Sequence, residues 1–368
     1  MNIDANLVDP LEAMLSRRES DALRVGLVVP QSGALGLVGP SALNAALLAA
    51  HELNVRGGIR GRYVDLVLVD GGGDPAAVAR EVDQLCSADA VDVVTGFHTS
   101  DVHRVIESVV AGRTPYVFTP PHEGGRRRPG VVCIGTDPAS QLRDSIRLVA
   151  ARHSIRNWAL IGNDYIWPRA MHHAARGLIS QADGVVVLDT LVGLGQVDAV
   201  TERLLDHLQR SKAEGVLLSL VGRDLVRFNT ALKHSGLDRR LVRLSGSLEE
   251  NGLLACGGDH TGTLYASMPS FASLQSDRRC GLDERYQALF GAEAPVLDTY
   301  AEGVYDGVHL VGALSSEDSL SPDRLAPAAR RLVRQDGSRS NALLAKSSQQ
   351  SRKVYLARAQ GLEFAIVP

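Results

Sequence analysis

The feature that most constrains this chain is a repeated alternation. RVGLVVP (Arg24 to Pro30), YVDLVLVD (Tyr63 to Asp70), DVVTGF (Asp92 to Phe97) and PYVFTP (Pro115 to Pro120) are apolar at most positions. Between them SALNAALLAAHELN, DPAAVAREVDQLCS and SDVHRVIESVVAG carry apolar residues at helical spacing. A strand that is apolar on both sides must be covered on both sides, and the helical segments supply the cover. The order βαβαβαβ therefore predicts a parallel, doubly wound sheet.

The pattern restarts after Asp137. NWALIGND, GVVVLDTLV, AEGVLLSLV and LVRLSGS are the next strand candidates, with helices expected near Ser140 to His153, Pro168 to Gln181, Val197 to Ser211 and Asp224 to Ser235. Leu282 to Phe290 and Thr299 to Leu314 read as further helices, and RKVYLARAQGLEFAIV reads as a β-hairpin turned at Gln360-Gly361. At 368 residues the chain exceeds what one core usually holds. The expectation is an α/β protein of two doubly wound parallel-sheet lobes, with multiple crossovers and a ligand cleft between the lobes. Residues 1–22 are assigned to an N-terminal extension, 23–136 with 269–335 to one lobe, and 137–268 with 336–368 to the other. In the extension, Asp9-Pro10 resembles a helix start, followed by an apolar stripe of Leu11, Met14 and Leu15. So short a helix needs a surface to dock on.

Charge and cysteine usage narrow the function classes. A net charge of -3 gives no general drive toward nucleic acid, so direct nucleic-acid binding is not expected. No run of about 18 apolar residues spans a bilayer. The first residues lack a basic and then apolar signal pattern, from which a cytoplasmic location is expected. Cys86, Cys133, Cys256 and Cys280 lie far apart without a C-x-x-C pair, so they read as buried free thiols, with no metal site. Neither G-x-S-x-G nor G-x-G-x-x-G occurs, which argues against a hydrolase or dehydrogenase, and no cofactor is expected.

Loops that follow strands in an open α/β sheet carry its ligand residues. PQSGALGLVGP spaces Gly33, Gly36 and Gly39 by three and leads into a helix. It reads as a tight strand-to-helix turn with Ser32 facing the cleft, and it lacks the P-loop lysine. DGGGDP reads as a structural turn ending in an Asp74 cap and Pro75. In GFHTSD, Ser100 or Asp101 caps the next helix, where small hydroxyls beside free N–H groups suit a ligand oxygen; capping alone accounts for them equally well. FTPPHEGG places Phe118 to wall a pocket, while Arg126 to Arg128 read as a solvated face. In GNDYIWPR, Tyr165 and Trp167 stand beside a helix-starting proline and can offer flat faces to a ligand, or else pack in the core.

Taken together, P-SG near Pro30, A-ELN-RGGI-GR (Ala50 to Arg62), D-GGDP, G-S (Gly96 to Ser100), P-HEG (Pro121 to Gly124), GNDYIWPR, LVG (Leu220 to Gly222) and Tyr300 to Gly307 resemble the type I periplasmic-binding-protein superfamily. The likeness is to its branched-chain amino acid, amide and urea-binding branch, and most of all to cytoplasmic amide sensors that regulate amidase operons. The resemblance implies a non-enzymatic protein that closes on a small amide, urea or amino-acid-like ligand through His98, Ser100, Phe118, Pro120, Pro121, Tyr165, Trp167 and Val221. It departs from the amide-sensor pattern at His98 and Phe118, where tyrosines are usual, at Pro120 for threonine and at Trp167 for tyrosine. Fewer hydroxyls offer fewer bonds to a primary amide. The implied function is a sensor that releases a regulatory protein partner, such as an RNA-binding antiterminator, when ligand binds. The alternative is an ABC-transporter substrate-binding protein, and a homo-oligomer stays open.

Overall fold

Asp-Pro pairs set the start of three helices. In the computed structural model, which describes residues 3–16, 22–317, 320–335 and 353–368, Asp9, Asp74 and Asp137 are N-caps whose carboxylates accept first-turn N–H groups, each followed by proline at the first helical position.

The chain builds two units. The described residues of Met1–Gly33, Val38–Gly135 and Cys280–Arg352 form the first, and those of Ala34–Leu37, Thr136–Arg279 and Lys353–Pro368 form the second. The first begins with β1 (Asn6–Val8), α1 (Pro10–Leu15), β2 (Ala22–Val29), α2 (Gly39–Val55), β3 (Tyr63–Asp70), α3 (Pro75–Ser87), β4 (Val93–Gly96), α4 (Ser100–Val110), β5 (Tyr116–Phe118) and β6 (Val131–Cys133). The second continues with α5 (Pro138–His153), β7 (Asn157–Asn163), α6 (Ile166–Gln181), β8 (Val185–Val192), α7 (Val197–Arg210), β9 (Gly215–Ser219), α8 (Gly222–Ser235), β10 (Val242–Ser245), α9 (Glu250–Ala255) and β11 (Leu264–Met268). After α10 (Asp277–Phe290), α11 (Thr299–Ser316) and α12 (Pro322–Gln335), the hairpin β12 (Tyr355–Gln360) and β13 (Glu363–Ile366) closes the chain.

The first sheet runs β1-β3-β2-β4-β5-β6 and every pair in it is parallel. The second runs β13-β12-β11-β10-β9-β7-β8, parallel from β11 to β8, with the terminal hairpin antiparallel along its edge. The α/β expectation of two parallel-sheet lobes is met. The hairpin, read from the turn at Gln360-Gly361, supplies the antiparallel edge.

Three features differ from the sequence reading. Residues 3–16 are built into the first unit: β1 adds to β3, Asn6 Nδ2 donates to Asp65 at 2.9 Å, and Arg24 reaches back to the Ala13 carbonyl at 3.0 Å. In α1 the buried residue is Ala13, while Leu11 and Leu15 face solvent. The chain leaves the second unit at Arg279 rather than near 269, because Phe271 packs on Phe364 and the Ala272 N–H bonds Glu250 at 2.6 Å. The assignment of 336–352 lies outside the described residues. The four cysteines are free and half-buried, and burial pushes Cys133 and Cys256 up to about 12, so their thiols stay protonated.

Candidate functional site

At the carboxyl edge of the first sheet, glycines let loops meet backbone to backbone. A Cβ on Gly72 would sit 2.1 Å from the Ser32 carbonyl oxygen, and one on Gly33 would sit 2.4 Å from that of Gly72. Asp70, the last residue of β3, locks this contact by accepting the N–H groups of Gln31 (2.8 Å), Ser32 (3.3 Å) and Gly72 (2.8 Å). Burial raises its pKa, but the bonds from Ser32, Gln31 and Gly72 outweigh burial and lower it. Ser32 itself is exposed on this edge.

The next strand ends in Gly96, whose backbone crowds the Val28 carbonyl so closely that a Cβ would lie 1.9 Å from the oxygen. The chain then turns through Phe97, His98 and Thr99 into α4. The N-cap is Thr99, not Ser100 or Asp101, and its side chain makes no cap bond. Ser100 is the first helical residue and is 2% exposed. The first turn of α4 thus starts without a bond from its N-cap side chain and carries Asp101 as its acidic residue; helix N–H groups that no cap residue takes up favour an anion.

His98 is buried at 3% exposure, and both ring nitrogens are engaged: Nε2 with the Tyr116 hydroxyl at 3.0 Å, Nδ1 with the Thr99 carbonyl at 3.2 Å. Phe118 is wholly buried, its ring 4.0 Å from that of His103 and nearly parallel to it, so this ring belongs to the core of the unit. Pro120 is buried and Pro121 half-buried, and Gly135 backs them, since a Cβ there would meet the Pro120 carbonyl oxygen at 1.9 Å. Thr119, not singled out in the sequence, donates from Oγ1 to the Gly96 carbonyl at 3.0 Å and couples the loop after β5 to the end of β4.

In the second unit the equivalent edge is tied by side chains. Asn163, at the end of β7, donates from Nδ2 to Asp224 (2.6 Å) and accepts the Val221 N–H at 2.9 Å, while Asp224 also takes the Gly195 N–H at 2.7 Å. Gln141 on α5 donates to the Gly246 and Ser267 carbonyls, both at 2.7 Å. Val221 is the N-cap of α8 and is 4% exposed. The helix α6 begins at Ile166, so Pro168 is its third residue rather than its start, and Tyr165 is its N-cap. Tyr165 and Trp167 are 7% and 4% exposed, and no described residue accepts from the buried Trp167 indole N–H. Asn163, Asp224 and Gln141 were not singled out in the sequence, since one polar residue at a strand end, or in the first turns of helices such as α8 and α5, looks like any other.

Among the described residues no three His, Cys, Asp or Glu side chains group as metal ligands, and no helix is long and apolar enough to cross a membrane.

A family model described as periplasmic binding protein matches residues 22–362. This chain belongs to the periplasmic binding protein family. It is 24% identical over 317 residues, 81% of each chain, to a Leu/Ile/Val-binding protein of Rhizobium johnstonii. Its fold is similar to a solute-binding protein of an R. palustris ABC transporter in complex with benzoate, with TM-score 0.77, 16% identity and coverage of 94% of this chain and 95% of that one. It is also similar to a fatty acid ABC transporter substrate-binding protein of Thermomonospora curvata, with TM-score 0.78, 17% identity and coverage of 95% and 92%. At these identities the two structures speak to the fold alone. As a periplasmic binding protein the chain is a ligand-binding protein. None of these matches supports the amide-sensor branch.

Proposed function

We propose that this chain is the substrate-binding protein of an ABC-type transporter and that its ligand is a small organic carboxylate. The observation that carries the reading is the N-terminus of α4, where Thr99 leaves the first-turn N–H groups uncapped by a side chain beside the buried Ser100. A carboxylate gains there from hydrogen bonds and from the helix dipole together, whereas a neutral amide forfeits the charge term. Leucine, isoleucine and valine, benzoate and fatty acids, the ligands named for the relatives, share a carboxylate. The reading carries a location with it: a transport binding protein works outside the cytoplasmic membrane, and cell fractionation checks this against the cytoplasmic expectation.

Calorimetric titration with leucine, benzoate and octanoate, each beside its primary amide, tests the ligand class. Binding of at least one acid with its amide about tenfold weaker or worse is the expected result, from the charge-assisted share of the bonds. Amides binding as well as acids would return the amide-sensor reading to first place.

A further inference from the structure

Behind the α4 N-terminus lies a buried row of polar groups that the ligand reading does not use. His98 Nδ1 is 3.2 Å from the Thr99 carbonyl oxygen, His98 Nε2 is 3.0 Å from the Tyr116 hydroxyl, and that hydroxyl is 3.0 Å from His103 Nδ1. His103 Nε2 is 3.9 Å from Cys133 Sγ. The order of protons follows from one end. A carbonyl oxygen only accepts, so His98 Nδ1 carries hydrogen, and in the neutral ring Nε2 is bare. The Tyr116 hydroxyl must then donate to His98 Nε2. Having one proton, it accepts from His103 Nδ1–H, which leaves His103 Nε2 bare toward the Cys133 thiol. Burial agrees with neutral rings, drawing His98 down to about 4 and His103 well below the usual imidazole range. The nearby charges are matched among themselves: on α4, Arg104 meets Glu107 (2.9 Å) and Glu123 (2.6 Å), and Arg127 meets Glu123 at 2.8 Å and touches His122 at 3.1 Å.

The Thr99 carbonyl also accepts the His103 backbone N–H, at 2.9 Å, so two donors fix it. That carbonyl and the Ser100 N–H belong to one planar trans peptide group and point in opposite directions. Fixing the one aims the other. Resting on the carboxylate reading above, we propose that Tyr116 is a positioning residue: through His98 it holds the Thr99–Ser100 peptide so that the Ser100 N–H is aimed at the ligand's carboxylate, with His103 and Cys133 setting the direction of the hydroxyl proton.

The test pairs Tyr116→Phe with nitrogen-15 imidazole and amide NMR on the full chain. In the wild-type protein both His98 and His103 are Nδ1–H tautomers from pH 8 to 5.5, and the Ser100 amide proton moves downfield with bound acid. Tyr116→Phe keeps the ring packing and removes only the hydroxyl. It is expected to weaken the best-binding acid of the trio leucine, benzoate and octanoate about tenfold, to unlock the His98 tautomer and to diminish the Ser100 shift, one hydrogen bond's worth of positioning. Cys133→Ser, which retains a donor toward His103, should bind acid like the wild type. An Nε2–H tautomer at either histidine in the wild-type protein overturns the chain as drawn. Acid binding and a Ser100 shift both unchanged in Tyr116→Phe overturn the positioning role and leave the carboxylate reading standing. A wild-type protein that binds none of the three acids removes that reading and the proposal with it.

Discussion

At the scale of single residues, burial alone does not separate a ligand contact from a core side chain; bonding and place in the fold have to be read together. His98 and Phe118 are buried with partners for what they present: nitrogens to Tyr116 and Thr99, a ring to His103. Trp167 is buried to a similar degree, yet its indole N–H has no acceptor among the described residues. The indole N–H of Trp158, inside β7, has no acceptor among the described residues either, so what makes Trp167 the candidate for a ligand is its place at the start of α6, just past the end of β7. Loss of its stacking area is worth on the order of 2 kcal/mol. Trp167→Ala should accordingly weaken acid binding about thirtyfold by calorimetry while leaving the circular dichroism spectrum unchanged. An unaltered affinity would make it a core residue. The glycines tell the complementary story. Gly33 and Gly72 read in the sequence as glycines of two turns; what they permit is contact between two backbones, which Asp70 then locks.

At the scale of elements, the helices of the first unit are joined by one carboxylate. Glu52 on α2 accepts from Arg285 of α10 at 2.7 Å and from the Tyr305 hydroxyl of α11 at 2.6 Å, and His309 of α11 lies 3.2 Å away. Burial would raise its pKa, but bonds from His309, Tyr305 and Arg285 outweigh that and hold it at about 2 against the usual 4.5. Between these values the unfolded chain binds a proton that the folded chain does not, so stability falls as pH falls. The contribution is full above about 4.5 and is lost on approach to about 2. Thermal melts should show the advantage of the wild type over Glu52→Gln at pH 7 shrinking below pH 4.5; a constant gap would mean the triad adds nothing through the charge.

The same elements show what a sequence discloses. Long strands buried on both faces, such as Val25 to Val29 and Trp158 to Ile161, were legible because apolar runs of that length admit few alternatives. Two of the Asp-Pro helix starts, at Asp9 and Asp74, were legible because cap and proline are both local, whereas the third helix was placed near Ser140 and starts at Pro138. By contrast β11, LYASM, is fully buried but mixes Tyr and Ser into a short run, and β1 and β6 are three residues each, so no period is expressed. The candidate site was legible as loops. Ser100 and Trp167 stood out by type and place, whereas Tyr116 sits inside the apolar run PYVF and reads as strand, its hydroxyl acquiring meaning only when His98 and His103 arrive from elsewhere.

For the whole molecule, the decisive fact is that neither unit is continuous. The second unit is assembled from 34–37, 136–279 and 353–368, and its last piece supplies β12 and β13. β12 pairs with β11 from Tyr265↔Arg358 to Met268↔Tyr355, and Phe364 covers Phe271. Ending the chain at residue 352 would leave the Leu264–Met268 strand with an open edge and uncover the Phe271 ring on which Phe364 packs. The deleted ladder bonds and the uncovered Phe271 ring belong to this unit, and among the described residues the first sheet draws no strand from beyond Cys133. Hydrogen exchange read by mass spectrometry should then show amides of β10 and β11 exchanging at least tenfold faster in the truncated chain, with those of β2 to β5 unchanged, since local opening follows local contacts. Uniform acceleration across both sheets would mean instead that the two units unfold as one cooperative body, and the hairpin would have to be counted as a support of the entire protein.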